Sequence, residues 1–152
     1  MVIRTRSEGE TELVGERLAA ALGPGSVLGL TGPLGAGKTA LVRGLARGLG
    51  VEENTVHSPT FLTAAEYHGR HRLIHVDLYR HEETLPDPHW LAELLEGDGI
   101  AVVEWFERLG DEAPPQAVVI HIDYGRDEDE RVLDISSVTG LGVDLASAGE
   151  AS

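Results

Sequence analysis

The chain contains no cysteine and no long run of apolar residues. Without cysteine, disulfide bonds and thiolate metal sites are excluded. Residues 1–8 lack the continuous apolar stretch of a signal peptide, and no later segment reaches the length needed to span a membrane. We therefore expect a cytoplasmic protein without membrane contact. The 152 residues are enough for one domain with its own hydrophobic core.

Basic residues are also scarce. Twelve lysines and arginines stand against 26 acidic residues, for a formal net charge of −14. A protein that binds nucleic acid by itself needs a basic face, so any RNA would have to be held mainly by a partner. The acidic run at 127–130 is interpreted as a solvated hairpin turn, with a docking patch for a basic partner as the alternative.

The single lysine, Lys38, lies in a recognisable motif. Residues 32–39 read Gly-Pro-Leu-Gly-Ala-Gly-Lys-Thr, a full match to the phosphate-binding loop pattern GxxxxGK[ST]. In such a loop the backbone N–H groups surround the phosphates, the lysine contacts the β- and γ-phosphates, and the hydroxyl of Thr39 binds Mg²⁺. The guanine-binding NKxD motif of GTPases needs a further lysine, so ATP is favoured over GTP.

The remaining pattern predicts a P-loop NTPase fold of the α/β class, a three-layer sandwich with a mixed, partly parallel central sheet. We expect one domain over residues 1–138 and a mobile tail over 139–152. A capping box at Ser7 and Glu10 marks the start of the first helix. The predicted helices are 8–22, Ala40–Leu49 and Pro86–Glu96, and the predicted strands are 26–31, 60–68, 71–79, 100–103, 117–124 and 131–137, with hairpins at 60–79 and 117–137.

Two carboxylates follow apolar strands. Asp77 ends the segment Leu-Ile-His-Val-Asp, and Glu104 ends Ile-Ala-Val-Val-Glu. Either could be the acidic ligand that a nucleotide-bound metal requires, and a strand-end surface acid is the alternative for each. The loop 58–60 (Ser-Pro-Thr) offers hydroxyls for the γ-phosphate or a Mg²⁺-bound water, or it simply caps a turn.

Histidine spacing gives a weaker signal. His71 and His75 are four residues apart, which would suit a metal site on a helix. In a strand this spacing separates them by about 13 Å along one face, so a two-histidine zinc site is disfavoured.

Four sequence blocks occur in one order and together carry a resemblance. They are residues 31–39, Ser58-Pro59-Thr60-Phe61, His75-Val76-Asp77-Leu78-Tyr79-Arg80 and Val103-Glu104-Trp105. This combination resembles the signature of the TsaE family, small bacterial P-loop ATPases required for threonylcarbamoyladenosine modification of tRNA adenosine 37. The resemblance covers residues 7 to about 138.

The resemblance implies roles for individual residues. Lys38, Asp77 and Glu104 would be catalytic, with ATP and Mg²⁺ as cofactors, and Thr39 and Glu104 would bind the metal. The residues expected to contact ATP are Thr11, Gly35, Ala36, Gly37, Lys38, Thr39, Ala40 and Thr60. Trp105 would lie at a partner-facing or active-site edge, or equally in the core. Two residues depart from the family pattern: Pro33 replaces a common acid, and Phe106 replaces a usual proline.

The implied function is that of a motor. Such a protein docks on the TsaB–TsaD complex and couples ATP hydrolysis to resetting that complex, and its partners hold the tRNA. Two alternatives remain open from the sequence. One is a small-molecule P-loop kinase with Arg70, Arg72 and Arg80 as a phosphate clamp, and the other is a nucleotide-gated binding module without useful hydrolysis.

Overall fold

A computed structural model describes residues 1–33, 35–51, 64–78, 99–136 and 150–151. The loop Ser58–Phe61 and the predicted helix Pro86–Glu96 lie outside these residues. The elements are β1 (Val2–Thr5), α1 (Glu8–Ala21), β2 (Val27–Thr31), α2 (Lys38–Gly48), β3 (Ala64–His68), β4 (Arg72–Asp77), β5 (Ile100–Glu104), a 3-10 segment (Phe106–Glu112), β6 (Val118–Tyr124), β7 (Arg131–Ile135) and β8 (Glu150–Ala151).

The strands form one mixed sheet in the order β3-β4-β5-β2-β6-β7-β1-β8. The central strands β4, β5, β2 and β6 run parallel, and β3, β7, β1 and β8 each pair antiparallel with a neighbour. The α/β class with a partly parallel sheet is therefore confirmed, as are both predicted hairpins. The acidic run 127–130 lies in the turn between β6 and β7, where three of its four residues are exposed.

The first strand was not predicted. β1 pairs with β7, so Ile3 lies beside Leu133 at the opposite end of the sequence. The last strand, β8, lies within residues 139–152, which were expected to form a mobile tail. Glu150 and Ala151 pair with Arg4 and Ile3 at the sheet edge, so these two residues are not free of the domain. Residues 137–149 and 152 lie outside the described part of the chain.

Apolar side chains cover both faces of the sheet. The larger cluster joins α1 and α2 to one face and includes Leu18, Leu41, Leu30 and Val102. The smaller cluster lies on the other face, where Phe106 and Leu109 of the 3-10 segment pack. Strand residues therefore alternate between the two clusters, and this alternation decides which side chains share the helix-covered face. Among the described residues, no helix is long and apolar enough to cross a membrane.

The two helices cross closely because glycines face each other. A Cβ on Gly44 of α2 would overlap the carbonyl oxygen of Glu12 and lie 2.5 Å from its carbonyl carbon. A Cβ on Gly15 of α1 would likewise overlap the carbonyl oxygen of Leu41. At the rim of this contact, Arg43 donates to Glu8 at 2.7 Å and to Glu12 at 3.0 Å. Backbone contact and ion pairs together hold α2 in place, and α2 begins at the phosphate-binding motif.

Candidate functional site

The motif folds as a loop between β2 and α2, as the sequence predicts. Gly37 is the N-cap of α2 with φ of 106°, a left-handed conformation that favours glycine. Gly32 has φ of 129°, and a Cβ there would overlap the carbonyl oxygen of Ile122. These glycines let the loop turn sharply, and because they have no side chains they leave the backbone accessible at these positions. The N-terminal N–H groups and positive dipole end of α2 are suited to an anion.

Lys38 is buried at the centre of this loop. Its ammonium nitrogen donates to the carbonyl oxygen of Gly32 at 2.6 Å and lies 3.7 Å from the centroid of the Trp105 ring. Burial lowers the pKa of Lys38, while the carboxylates of Glu104, Glu107 and Asp77 act in the opposite direction. The lysine is thus a partly desolvated cation with acidic groups around it, able to exchange its Gly32 contact for phosphate oxygens.

Asp77 and Glu104 come together as their positions predicted. They are direct partners in the parallel pairing of β4 and β5, and Glu104 is also level with Leu30 of β2, just before the loop. Both lie on the helix-covered face by alternation with Leu73 and Val102. Glu104 is only 3% exposed, whereas Asp77 is half-buried. The carboxyl ends of two neighbouring strands therefore bring two acids to the edge that carries Lys38.

His75 lies beside Glu104, a contact that the sequence did not predict. It is fully buried, and its Nε2 is hydrogen-bonded to Oε2 of Glu104. The available signal was its position two residues before Asp77, which puts both side chains on one face of β4. That signal became specific only once the register of β4 against β5 was known.

Trp105 turns the chain at the end of β5. It has φ of 58° and ψ of 42°, a conformation that bulky residues rarely adopt. The half-buried ring packs against the smaller apolar cluster and also covers the Lys38 ammonium. The ring therefore contacts both the apolar cluster and Lys38, and its place at a partner-facing or active-site edge stays a prediction. Phe106, which departs from the family pattern, packs on Gly29, where an added Cβ would overlap its ring.

The other expected site residues are distributed as follows. Gly35, Ala36, Gly37, Thr39 and Ala40 belong to the loop or the first turn of α2. Thr11 is buried in α1, with its hydroxyl 2.7 Å from that of Thr5, and its methyl group lies 3.8 Å from the Cβ position of Gly37. Its contact with adenine stays a prediction. Thr60 lies outside the described residues.

Comparison with known proteins agrees with the motif. The sequence model of the family described as "Threonylcarbamoyl adenosine biosynthesis protein TsaE" matches residues 5–133. The chain belongs to the TsaE family. This family takes part in the biosynthesis of threonylcarbamoyladenosine in tRNA.

Named relatives extend over most of the chain. The protein TsaE of Treponema pallidum is 42% identical over 120 residues, covering 78% of this chain and 87% of that protein. TsaE of Bacillus subtilis is 39% identical over 136 residues, covering 89% of this chain and 84% of that protein. The crystal structure of Bacillus subtilis YdiB has a TM-score of 0.71 and 34% identity, covering 88% of this chain and 82% of that one.

The residues of this TsaE-family site fit a magnesium–nucleotide complex. Cβ atoms added at Gly35 and Gly37 would enter space whose nearest atoms are 3.4 Å and 3.8 Å away, so the glycines leave room for a ligand against the backbone. Among the described residues, no group of three or more acidic, histidine or cysteine side chains could hold a metal by itself. Mg²⁺ bound to a nucleotide needs only one or two protein carboxylates, with phosphates and water completing its shell.

A groove lies beside the loop. It has a volume of about 660 Å³ and is lined by Pro33, Trp105, Glu107 and Asp123, among others. Gly32 lines it as well, and both Gly32 and Trp105 contact the Lys38 ammonium, so the groove opens next to that group.

The buried ammonium predicts a specific pH dependence of stability. The pKa of Lys38 is lowered in the folded protein from its ordinary value of 10.5. Between the lowered value and 10.5, the unfolded chain binds more protons at this group, so its contribution to the free energy of unfolding rises with pH. Below that window the cost of burying the ammonium is fully present. We expect the unfolding free energy of the wild type, minus that of Lys38→Met, to increase as the pH rises from neutrality towards 10.5.

Denaturant titrations of both proteins across this pH range measure that difference. Subtracting the variant removes the contributions of other groups that titrate in both proteins. A difference that stays constant or falls with rising pH would contradict the lowered pKa.

Proposed function

We propose that this chain is an ATP hydrolase of threonylcarbamoyladenosine biosynthesis, which couples Mg²⁺-dependent ATP hydrolysis to turnover of the TsaB–TsaD transferase complex. One observation carries the proposal. The Lys38 ammonium at the start of α2 lies against the ring of Trp105, the residue that follows Glu104, and Glu104 and Asp77 lie side by side at the ends of β5 and β4. A cation, a helix N-terminus and paired carboxylates are the groups that phosphoryl transfer from a nucleotide requires.

Each group has a proposed task. The loop N–H groups and Lys38 bind the phosphates and stabilise the negative charge that develops on them. Thr39 and Glu104 hold Mg²⁺, which supplies further charge stabilisation when bound, and Asp77 orients the attacking water. Trp105 covers the ammonium and limits the access of solvent to it. The strongly acidic chain, with a net charge of −14, leaves binding of tRNA to its partners.

A rate measurement tests the proposal. ATP hydrolysis is followed for the chain alone, with the TsaB–TsaD complex, and with the complex and tRNA. We expect slow hydrolysis alone and faster hydrolysis with the partners, because an unassembled site lacks a well-positioned nucleophile. Full activity alone that does not change with partners would contradict the coupling. Transfer of phosphate to a metabolite would indicate a kinase, and binding without any turnover would indicate a nucleotide-gated module.

The two carboxylates should differ in their effect on magnesium. Glu104→Gln is expected to raise the Mg²⁺ concentration needed for half-maximal hydrolysis more than Asp77→Asn does. The reason is that losing a carboxylate bound to the metal removes charge at the ion, whereas losing a neighbouring acid mainly disturbs water. Titration of Mg²⁺ against the hydrolysis rate of both variants decides the order. The reverse order would make Asp77 the metal ligand.

A further inference from the structure

His75 is a buried polar residue to which the proposed reaction gives no role. Its side chain is 0% exposed and its only hydrogen bond among the described residues joins Nε2 to Oε2 of Glu104. Along the sheet His75 is level with Val102, two residues before Asp77 and Glu104 on their strands. The imidazole therefore lies directly behind the acidic edge, within the wall of the site.

The hydrogen on the imidazole can be assigned from its surroundings. An ionised carboxylate only accepts hydrogen bonds, so Nε2 of His75 carries the hydrogen and donates it to Glu104. Nδ1 is buried and has no hydrogen-bond partner among the described residues. The hydrogen bond between the two side chains therefore runs from Nε2 of His75 to Oε2 of Glu104.

We propose that His75 is a positioning residue for the metal site, which orients the carboxylate of Glu104 through Oε2. The inference rests on the proposed function, because it assumes that Glu104 binds Mg²⁺. A glutamate side chain has several rotatable bonds, whereas Mg²⁺ requires ligands at about 2.0–2.1 Å in near-octahedral geometry. A hydrogen bond to one oxygen from a rigid, buried ring restricts the carboxylate before the ion arrives. Carboxylates that bind metals are commonly supported in this way.

A purely structural role makes a different prediction. His75 could instead serve only to offset the free-energy cost of burying the Glu104 carboxylate. In that case, replacing His75 should lower stability but leave the response of nucleotide binding to magnesium unchanged. A positioning role requires that the magnesium response itself changes. The two roles can therefore be separated by measuring binding rather than turnover.

The experiment compares the wild type with His75→Phe and His75→Gln. Phenylalanine keeps a ring but has no donor, whereas glutamine keeps an N–H donor. Affinity for a non-hydrolysable ATP analogue is measured by calorimetry in EDTA and over a series of Mg²⁺ concentrations, with thermal melts of each protein. Should His75→Phe not fold, His75→Leu takes its place.

We expect equal affinities for the three proteins in EDTA. The Mg²⁺ concentration at half-maximal enhancement should rise roughly tenfold to a hundredfold in His75→Phe, and it should stay near the wild-type value in His75→Gln. An unchanged magnesium response in His75→Phe would overturn the positioning role while leaving the proposed function intact. If His75→Gln raised the required Mg²⁺ concentration as much as His75→Phe does, the N–H donor would not be the decisive property of His75. If the affinity of the wild type for the ATP analogue did not change with Mg²⁺ concentration, the proposed function and this inference would both be overturned.

Discussion

Replacing Lys38 with methionine is expected to lower ATP turnover roughly a hundredfold to a thousandfold, the usual cost of losing one group that stabilises transition-state charge. Methionine retains much of the length and apolar stem of lysine but removes the ammonium. Among the described residues, the close contacts of that ammonium are the Gly32 carbonyl and the Trp105 ring. The fold should therefore persist, and a thermal melt alongside the hydrolysis assay checks that it does.

Arg43→Met is the matched control for this substitution. Arg43 lies on the same helix, and its guanidinium pairs with Glu8 and Glu12 rather than facing the loop. The change removes the same formal charge from α2, and the lost ion pairs lie at the rim of the contact between α1 and α2, so any effect should fall on stability and not on turnover. We expect near-normal turnover from Arg43→Met. Equal losses in both variants, or normal turnover in Lys38→Met, would contradict the assignment of the phosphate site.

Gly44→Ala is expected to destabilise the protein by about 2 kcal/mol or more. On helix propensity alone the same change would stabilise α2 by about 1 kcal/mol, so the predicted sign is the opposite of the intrinsic preference. The reason is that the new methyl group would overlap the backbone carbonyl of Glu12 in α1, which cannot rotate away as a side chain could. For a chain of this size, the melting temperature should fall by roughly 4–8 °C.

Gly9→Ala serves as the control. Gly9 is also helical, but a Cβ there meets only the Ser7 hydroxyl oxygen at 3.8 Å, which is ordinary contact. We expect no loss of stability from this variant, and a small gain is consistent with propensity. Chemical denaturation of the wild type and both variants gives the comparison. If Gly44→Ala proved as stable as Gly9→Ala, the close crossing of α1 and α2 would be wrong.

Local signals in the sequence predicted the centre of this site. The strand, the glycine-rich loop and the helix around Lys38 are contiguous, so their order alone determines their arrangement. Asp77 and Glu104 were also expected at one edge, because parallel strands end on the same side of a sheet. The helix boundary was less accurate: α2 begins at Lys38, two residues before the predicted start at Ala40.

Features that depend on distant pairing could not be predicted in the same way. β1 is only four residues long, and its partner β7 lies at the other end of the chain. The contact of His75 with Glu104 requires a particular register between β4 and β5, and a shift by one residue would send the imidazole to the opposite face. The placement of Trp105 over Lys38 depends on one left-handed backbone conformation, and the sequence has no signal for it at a non-glycine residue.

Nucleotide is expected to bind at the edge formed by the start of α2 and the ends of β4 and β5. Amide NMR spectra of the uniformly labelled protein, recorded while a non-hydrolysable ATP analogue and Mg²⁺ are added, would locate it. We expect the largest shifts on the amides of residues 35–40, with further shifts near Asp77 and Glu104 when the metal is added. Shifts confined to the β6–β7 hairpin or to the groove beside Pro33, with residues 35–40 unchanged, would contradict it.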